Sequence, residues 1–227
     1  VSTAYPDAGY CIMRSGWGSE DSVLVFDCGP LGHGAAGHGH ADALSFQLYA
    51  RGYPFLIDPG TYSYNLDYGL RDAFRSTRAH NTWVVDGQDQ SVARDRMSWS
   101  LHAQARIRHW SSNDELDCVD GEHDGYRRLP GCVTHRRLIL FVKPDVWLIC
   151  DRLTSRDADI AHEAEMLLHL RPDCKVELCG RQAVLRSPSG ATLKVEVLAT
   201  SDLQLSLAES HYSAGYGHRS MAPALRL

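Results

Sequence analysis

The stretch Gly32-His33-Gly34-Ala35-Ala36-Gly37-His38-Gly39-His40 gathers three of the chain's twelve histidines. Its glycines remove bulk and open backbone angles that other residues avoid. If Gly37–His40 is extended, His38 and His40 project to one side, because alternate residues of an extended chain share a face. A His-x-His pair is a common spacing for metal ligands. Further on, Asp58 ends the run Tyr53–Asp58, and His80 stands just before the run Thr82–Val85. Neighbouring strands would bring both to one spot. Two imidazoles and a carboxylate with an open position suit Zn²⁺. Each signal has an ordinary reading as well. The loop can be a flexible surface segment, Asp-Pro-Gly is often only a turn, and a single histidine is often a satisfied polar group.

Short strand-like runs must position these residues. Ser22–Cys28, Asp42–Ala50, Tyr53–Asp58, Thr82–Val85, His102–Trp110, Val133–Val142, Val146–Cys150, Glu163–Leu170 and Thr192–Ala199 show period-two alternation or β-branched enrichment. Lys143-Pro144-Asp145 and Ser187-Pro188-Ser189-Gly190 supply hairpin turns. Helix is expected only as a turn or two around Tyr68-Gly69-Leu70-Arg71. Ala161–Leu170 holds good helix formers but is read as a strand from its neighbours. No internal repeat or linker interrupts 1–227, so a single all-β domain is expected, an antiparallel β-sandwich with little helix.

Composition narrows the classes of function. The chain has 227 residues, 44% of them hydrophobic and 22% charged, which is ordinary for a globular domain and rules out disorder or a coiled coil. A net charge of −5 argues against a nucleic-acid partner. No apolar run reaches the roughly 20 residues of a membrane-spanning helix. The seven cysteines include no Cys-x-x-Cys pair and read as buried small hydrophobes.

The segments GHGHADALSFQLYARGYPFLIDPGTYSYN and FRSTRAHNTWVVDGQDQS resemble the C-terminal part of heparinase II/III-type polysaccharide lyases. The likeness is dense over Tyr10–Gln90 and looser over Asp120–Pro172. In that family an N-terminal α/α toroid precedes β-sandwich layers. The resemblance therefore implies that Val1 is an internal boundary of a longer protein. It also implies a lyase cleaving uronic-acid-containing polysaccharide by β-elimination, working in the bacterial periplasm or outside the cell.

Carried over residue by residue, His38 matches a catalytic, carboxylate-facing histidine. His40, Asp58 and His80 match a zinc-binding set. The resemblance thus gives His38 and His40 different tasks, where strand periodicity pairs them. The family's catalytic tyrosine lies in the toroid and has no counterpart here, so the isolated chain is expected to be inactive. Arg78, Asn81 and Tyr62 are candidates for contact with the anionic sugar, Arg78 within a group formed with Arg71 and Arg75, and Asn81 alternatively orients His80. The arginines also read as a solvated turn paired with Asp67 and Asp72. Tyr64 could stack on a sugar. Trp17, Trp83 and Trp147 are expected in the core, and His102, His109, His123, His135, His162 and His169 in structural places. The alternative function is a noncatalytic carbohydrate-binding or interdomain module that keeps zinc for stability. A zinc hydrolase is disfavoured, because no His-Glu-x-x-His pattern supplies a base.

Overall fold

A computed structural model describes residues 1–199 and 202–227. In chain order the strands are β1 (Thr3–Tyr5), β2 (Tyr10–Arg14), β3 (Val23–Asp27), β4 (Phe46–Ala50) and β5 (Tyr53–Leu56). A helix α1 (Tyr68–Arg75) and a 3₁₀ turn (Thr77–Ala79) follow, then β6 (Trp83–Val85), β7 (Val92–Asp95), β8 (Ser98–Leu101), β9 (Ala105–Ser112) and β10 (Leu116–His123). The remainder are β11 (Thr134–Val142), β12 (Val146–Thr154), β13 (Ala164–His169), β14 (Lys175–Cys179), β15 (Gln182–Arg186), β16 (Thr192–Glu196), β17 (Ser206–Gly215) and β18 (His218–Arg226). Strand takes 48% of the residues and helix 5%, which bears out the all-β expectation.

Among the described residues the sheets run β1-β2-β3-β4-β5, β12-β11-β10-β9, β17-β18-β13-β6, β14-β15-β16 and β7-β8, with antiparallel pairing throughout. The Lys143-Pro144-Asp145 turn closes the β11–β12 hairpin, where Val142 faces Val146. Ser187–Gly190 closes β15–β16, where Arg186 faces Thr192. Period-two burial supplies the core: Leu24, Phe26, Phe46 and Leu48 from the first sheet meet Val119, Ile139 and Phe141 from the second. Met166, Leu168 and Leu225 join them from the third.

Strand β13 connects the pieces that matter for the site. It pairs with β6 on one side, and a bridge from Leu170 to Leu56 continues it against the end of β5. The backbone N–H of Ile57 donates to the carbonyl of His169 at 2.9 Å. The segments that begin at Asp58 and end at His80 are therefore fastened to one strand.

Some sequence expectations change. The run Asp42–Ala50 becomes strand only at Phe46. Before it the chain turns, with Ser45 N–H donating to Asp42 O at 2.8 Å and Leu44 at φ +63°. Ala161–Leu170 is indeed strand, over Ala164–His169. The helical turn at Tyr68 extends to Arg75, and Asp67 caps it by accepting from Leu70 N–H at 3.0 Å. Trp17 is not core: it is 76% exposed, with the Arg14 guanidinium over its ring. Trp83 and Trp147 do pack on the core. Cys11, Cys28 and Cys174 are buried as expected, whereas Cys150 and Cys179 are exposed.

A buried ion pair ties the second sheet to the site. The Arg137 side chain is fully buried, and its Nε and Nη2 donate to the two oxygens of Asp151 at 2.8 and 2.9 Å. His135 Nε2 meets the same carboxylate at 2.7 Å. The free Nη1 donates to the carbonyls of Leu44 and Asn81 at 2.6 and 2.7 Å. Burial pushes the Asp151 carboxyl up, but the Arg137 charge and the bond from His135 outweigh it and hold it well below the ordinary range. A carboxyl depressed in the folded state contributes stability that is complete above its unfolded value of 3.8 and is lost as the pH falls below it. Replacing Arg137 by Leu strands this charge and should cost about 3–5 kcal/mol in urea denaturation. Wild-type stability should fall between roughly pH 5 and pH 2.5, and Asp151→Asn, less stable at the start, should fall less over that range.

Candidate functional site

Segments from three parts of the chain converge: the histidine loop before β4, the residues after β5, and the 3₁₀ turn before β6. The loop is a chain of tight turns, so the extended Gly37–His40 of the sequence reading is absent. Gly39 N–H donates to Ala36 O at 2.9 Å. A Cβ on Gly39 would lie 2.1 Å from the Leu31 carbonyl, so only glycine fits there. Arg71 of α1 clamps the loop from inside. It is fully buried, donates from Nη2 to Gly37 O at 3.1 Å, and places Nη1 3.1 Å from His40 Nε2. Its neighbour Arg75 is also buried and spans Asp72 and the Asp95 carbonyl. These two arginines are buried supports and not a solvated turn, although the expected pair of Arg75 with Asp72 does form.

The turn sends the two histidines apart. His40 points inward, its ring centroid 5.2 Å from that of His80. His38 is exposed and lies edge-on to Tyr64 at 4.9 Å. His80 is fully buried. Its Nδ1 lies 2.7 Å from Asp58 Oδ2, while Asp58 Oδ1 accepts from Gly60 N–H at 2.8 Å. Both Asp58 oxygens are thus engaged. His80 Nε2 is buried without a hydrogen-bond partner among the described residues. His40, Asp42 and His80 offer donor atoms that all lie within 4.8 Å of one another. The 42–45 turn is what brings Asp42 into this group. A polar cavity of about 220 Å³ opens beside it, lined by Tyr10, Asp27, His40, Asp42 and Asp58 among others.

Burial and charge pull these groups in opposite directions. Burial raises the Asp42 carboxyl to about 7, against the lowering pull of His80. Burial alone would lower His80, but the Asp58 charge and hydrogen bond, with help from Asp42 and Asp27, lift it to about 9. His40 is pushed down to about 3 by burial and then by the charge of His80. Burial would raise Asp58 as well, yet its contact with His80 keeps it low. The donor set fits a cation. The Asp58 contact leaves Nε2 as the outward nitrogen of His80, the usual arrangement of a carboxylate behind a metal-bound imidazole. Among the described residues that nitrogen has no hydrogen-bond partner.

The sequence profile of the heparinase II/III-like C-terminal family matches residues 1–225. The chain belongs to this family. It is similar to the heparin-sulfate lyase of Pedobacter heparinus, with 29% identity over 155 residues, 67% of this chain and 21% of that protein. The heparin-sulfate lyase of Bacteroides thetaiotaomicron is 25% identical over 65% of this chain and 20% of its own length. Among solved structures, the heparan sulfate lyase of Pedobacter heparinus superimposes with a TM-score of 0.84 at 24% identity, over 100% of this chain and 33% of the other. A heparinase III structure gives 0.79 at 16% identity, over 100% and 34%. These structural likenesses establish the fold. The chain spans about a fifth of the length of the curated relatives.

In this heparinase-like sandwich the expected sugar contacts stand in different surroundings. Arg78 is exposed and paired with Glu165. Tyr62, at φ +63°, stacks on Phe74 at 5.8 Å. Asn81 is 2% exposed and all of its amide is used inside the protein. Nδ2 donates to the carbonyls of Phe46 and Ile57 at 2.7 and 3.0 Å, and Oδ1 accepts from His169 N–H at 2.7 Å. It braces His80 from the adjacent position. Asp42 was the residue that sequence reasoning missed as part of the site; Arg71, named there within a group for the anionic sugar, is instead a buried support. The heparinase-like sandwich should tolerate Asn81→Ala poorly. The change leaves two buried carbonyls and one N–H without partners, at roughly 1–3 kcal/mol for each group. Chemical denaturation should show a loss of at least about 3 kcal/mol.

Proposed function

We propose that the chain is the C-terminal sandwich of a bacterial polysaccharide lyase, periplasmic or secreted, that cleaves uronic-acid-containing polysaccharide by β-elimination. The observation that carries this reading is the exposed His38 on a clamped glycine loop, directly beside a buried His/Asp cluster, in a chain of the heparinase II/III-like family. In the reaction a base takes the proton from C5 of the uronate. The C5–H electrons form the C4=C5 double bond, the C4–O bond breaks, and the departing oxygen takes a proton. Charge that builds on the uronate carboxylate must be balanced by donors already in place. His38, an exposed imidazole, is the residue we assign to face the carboxylate or carry a proton. A toroid domain elsewhere in the full-length protein would supply the partner groups. Arg78 and Tyr62 remain candidates to touch the polymer at the rim, and Asn81 acts through the frame that it holds.

For the metal we propose zinc, with His40, His80 and Asp42 as ligands and Asp58 orienting His80 through Nδ1. This departs from the His40/Asp58/His80 set read from the family likeness, because Asp42 stands with the two imidazoles in the group whose donor atoms lie within 4.8 Å of one another, while Asp58 meets His80 through Nδ1. Zinc bound there would supply a cross-link between two segments, the loop before β4 and the turn before β6, and a positive charge among buried carboxylates. The loop that carries His38 hangs from His40, so the cluster sets where His38 stands.

Two measurements test the reading. Full-length protein incubated with uronate polymers, heparan sulfate first, should release an unsaturated sugar that absorbs in the ultraviolet. His38→Ala should cut turnover by roughly 10²–10⁴ and leave metal content unchanged; loss of metal together with activity would make His38 a ligand. Elemental analysis should find about one zinc per chain. Asp42→Asn should abolish it, whereas Asp58→Asn should weaken binding roughly 10–100-fold. The reverse ranking would return Asp58 to the ligand set. No unsaturated product from any uronate polymer would favour a noncatalytic carbohydrate-binding module.

A further inference from the structure

The β17–β18 hairpin lies far from the histidine loop in sequence and packs on the segment after Asp58, whose Tyr64 meets His38. Its edges are pinned to the segment after Asp58: Ser213 N–H donates to Pro59 O and Gly217 N–H to Tyr62 O, both at 2.8 Å. His211 of β17 stacks on Phe74 at 6.1 Å, on the ring that also carries Tyr62. The turn Gly215-Tyr216-Gly217 needs its glycine, since Gly217 sits at φ +77°. This turn holds Tyr216 out at 56% exposure.

Tyr216 is exposed but not loose. Its hydroxyl donates to Asn65 Oδ1 at 2.8 Å and accepts from Tyr64 N–H at 3.3 Å. The ring is therefore oriented, 6.2 Å from the Tyr64 ring at 36°. Tyr64 in turn receives the Arg71 guanidinium over its face at 4.9 Å and the edge of His38 at 4.9 Å. His38, Tyr64 and Tyr216 form one continuous run of rings. The strand that leaves the turn begins with His218 and Arg219, both exposed, which suits an anionic polymer. A large apolar ring fixed in water beside a proton-carrying side chain needs an explanation. Sugar rings present C–H faces that stack on such surfaces.

We propose that Tyr216 is a substrate-binding residue, forming with Tyr64 an aromatic wall that seats a sugar ring of an acidic polysaccharide beside His38. The inference rests on the lyase reading above and adds to it a binding residue from the C-terminal hairpin. Its contribution is to binding and not to bond cleavage, so it should appear in KM.

Steady-state kinetics on the full-length protein test it, with ultraviolet detection of product. Tyr216→Ala should raise KM about five- to tenfold, the range of a single aromatic contact, with kcat within about twofold. Tyr216→Phe keeps the ring and loses the hydroxyl bonds, and should restore KM to within about twofold of wild type. Oligosaccharide binding measured by calorimetry in a His38→Ala background should weaken by the same factor when Tyr216→Ala is added. Unchanged KM in Tyr216→Ala overturns the proposal. So does a Tyr216→Phe protein as impaired as Tyr216→Ala, which would make the hydroxyl a structural brace. A wild type that yields no product from any uronate polymer overturns the lyase reading, and this proposal with it. An active wild type with indifferent Tyr216 variants overturns only the placement of Tyr216.

Discussion

One side-chain amide holds the site to the core. Asn81 bonds at once to β4 through Phe46, to the end of β5 through Ile57 and to β13 through His169. Its own carbonyl accepts from the buried Arg137 of β11. Four elements from distant parts of the chain therefore meet at the residue next to His80. Each bond is made away from water, where an unmade one would cost far more than a made one gains. His80 consequently has little freedom to choose where its ring points. Its direction is set by backbone groups of three strands, and the Asp58 contact fixes its rotation.

The same logic explains why a helix appears in an otherwise all-strand chain. The eight residues of α1 put Arg71 and Arg75 on one side, four apart. Both side chains are buried, and both end on backbone carbonyls of glycine-rich or turn segments. A glycine loop has high conformational entropy, and ordering it costs about 1–2 kcal/mol per residue. Charge-assisted bonds from a buried guanidinium are among the few contacts strong enough to offset this. The rings of Trp99 and Tyr64, each beneath a guanidinium, add to the clamp.

Much of the fold was legible because the strands that face the core alternate. β3, β11 and β12 could be read from period-two hydrophobicity, and their hairpin turns from Pro, Asp and Gly. β17 and β18 were not legible for the opposite reason. β17 reads Ser-Leu-Ala-Glu-Ser-His-Tyr-Ser-Ala-Gly and contains no fully buried residue, so no pattern marks it. The site was legible in part. His40, Asp58 and His80 stood out by type, and they do come together. Asp42 stayed hidden because Asp42–Ala50 reads as one strand. The structure inserts a left-handed Leu44 whose carbonyl Arg137 holds and whose side chain is buried, and no local rule signals such a non-glycine residue. Asn81 was read as either orienting His80 or binding sugar, and its amide is spent on the backbone around His80. Its burial follows from a register between β5, β13 and β6 that no single stretch of sequence encodes.

The placement of charge follows from these constraints. Asp27, Asp42 and Asp58 all act on His80 within a largely buried space, and Arg71 closes one side of it. Three carboxylates cannot all stay ionised there unless positive charge is present, so the site must gather protons or a cation. Protons alone satisfy the charge but leave His80 Nε2 facing no partner. A divalent cation between the imidazoles and Asp42 meets both demands at once. The cation would then do for the loop what Asn81 does for the strands. It would join His40 to His80, and through them the glycine loop that carries His38 to the strands that Asn81 holds. The position of an exposed histidine on a glycine loop would thus come from the buried groups around His80.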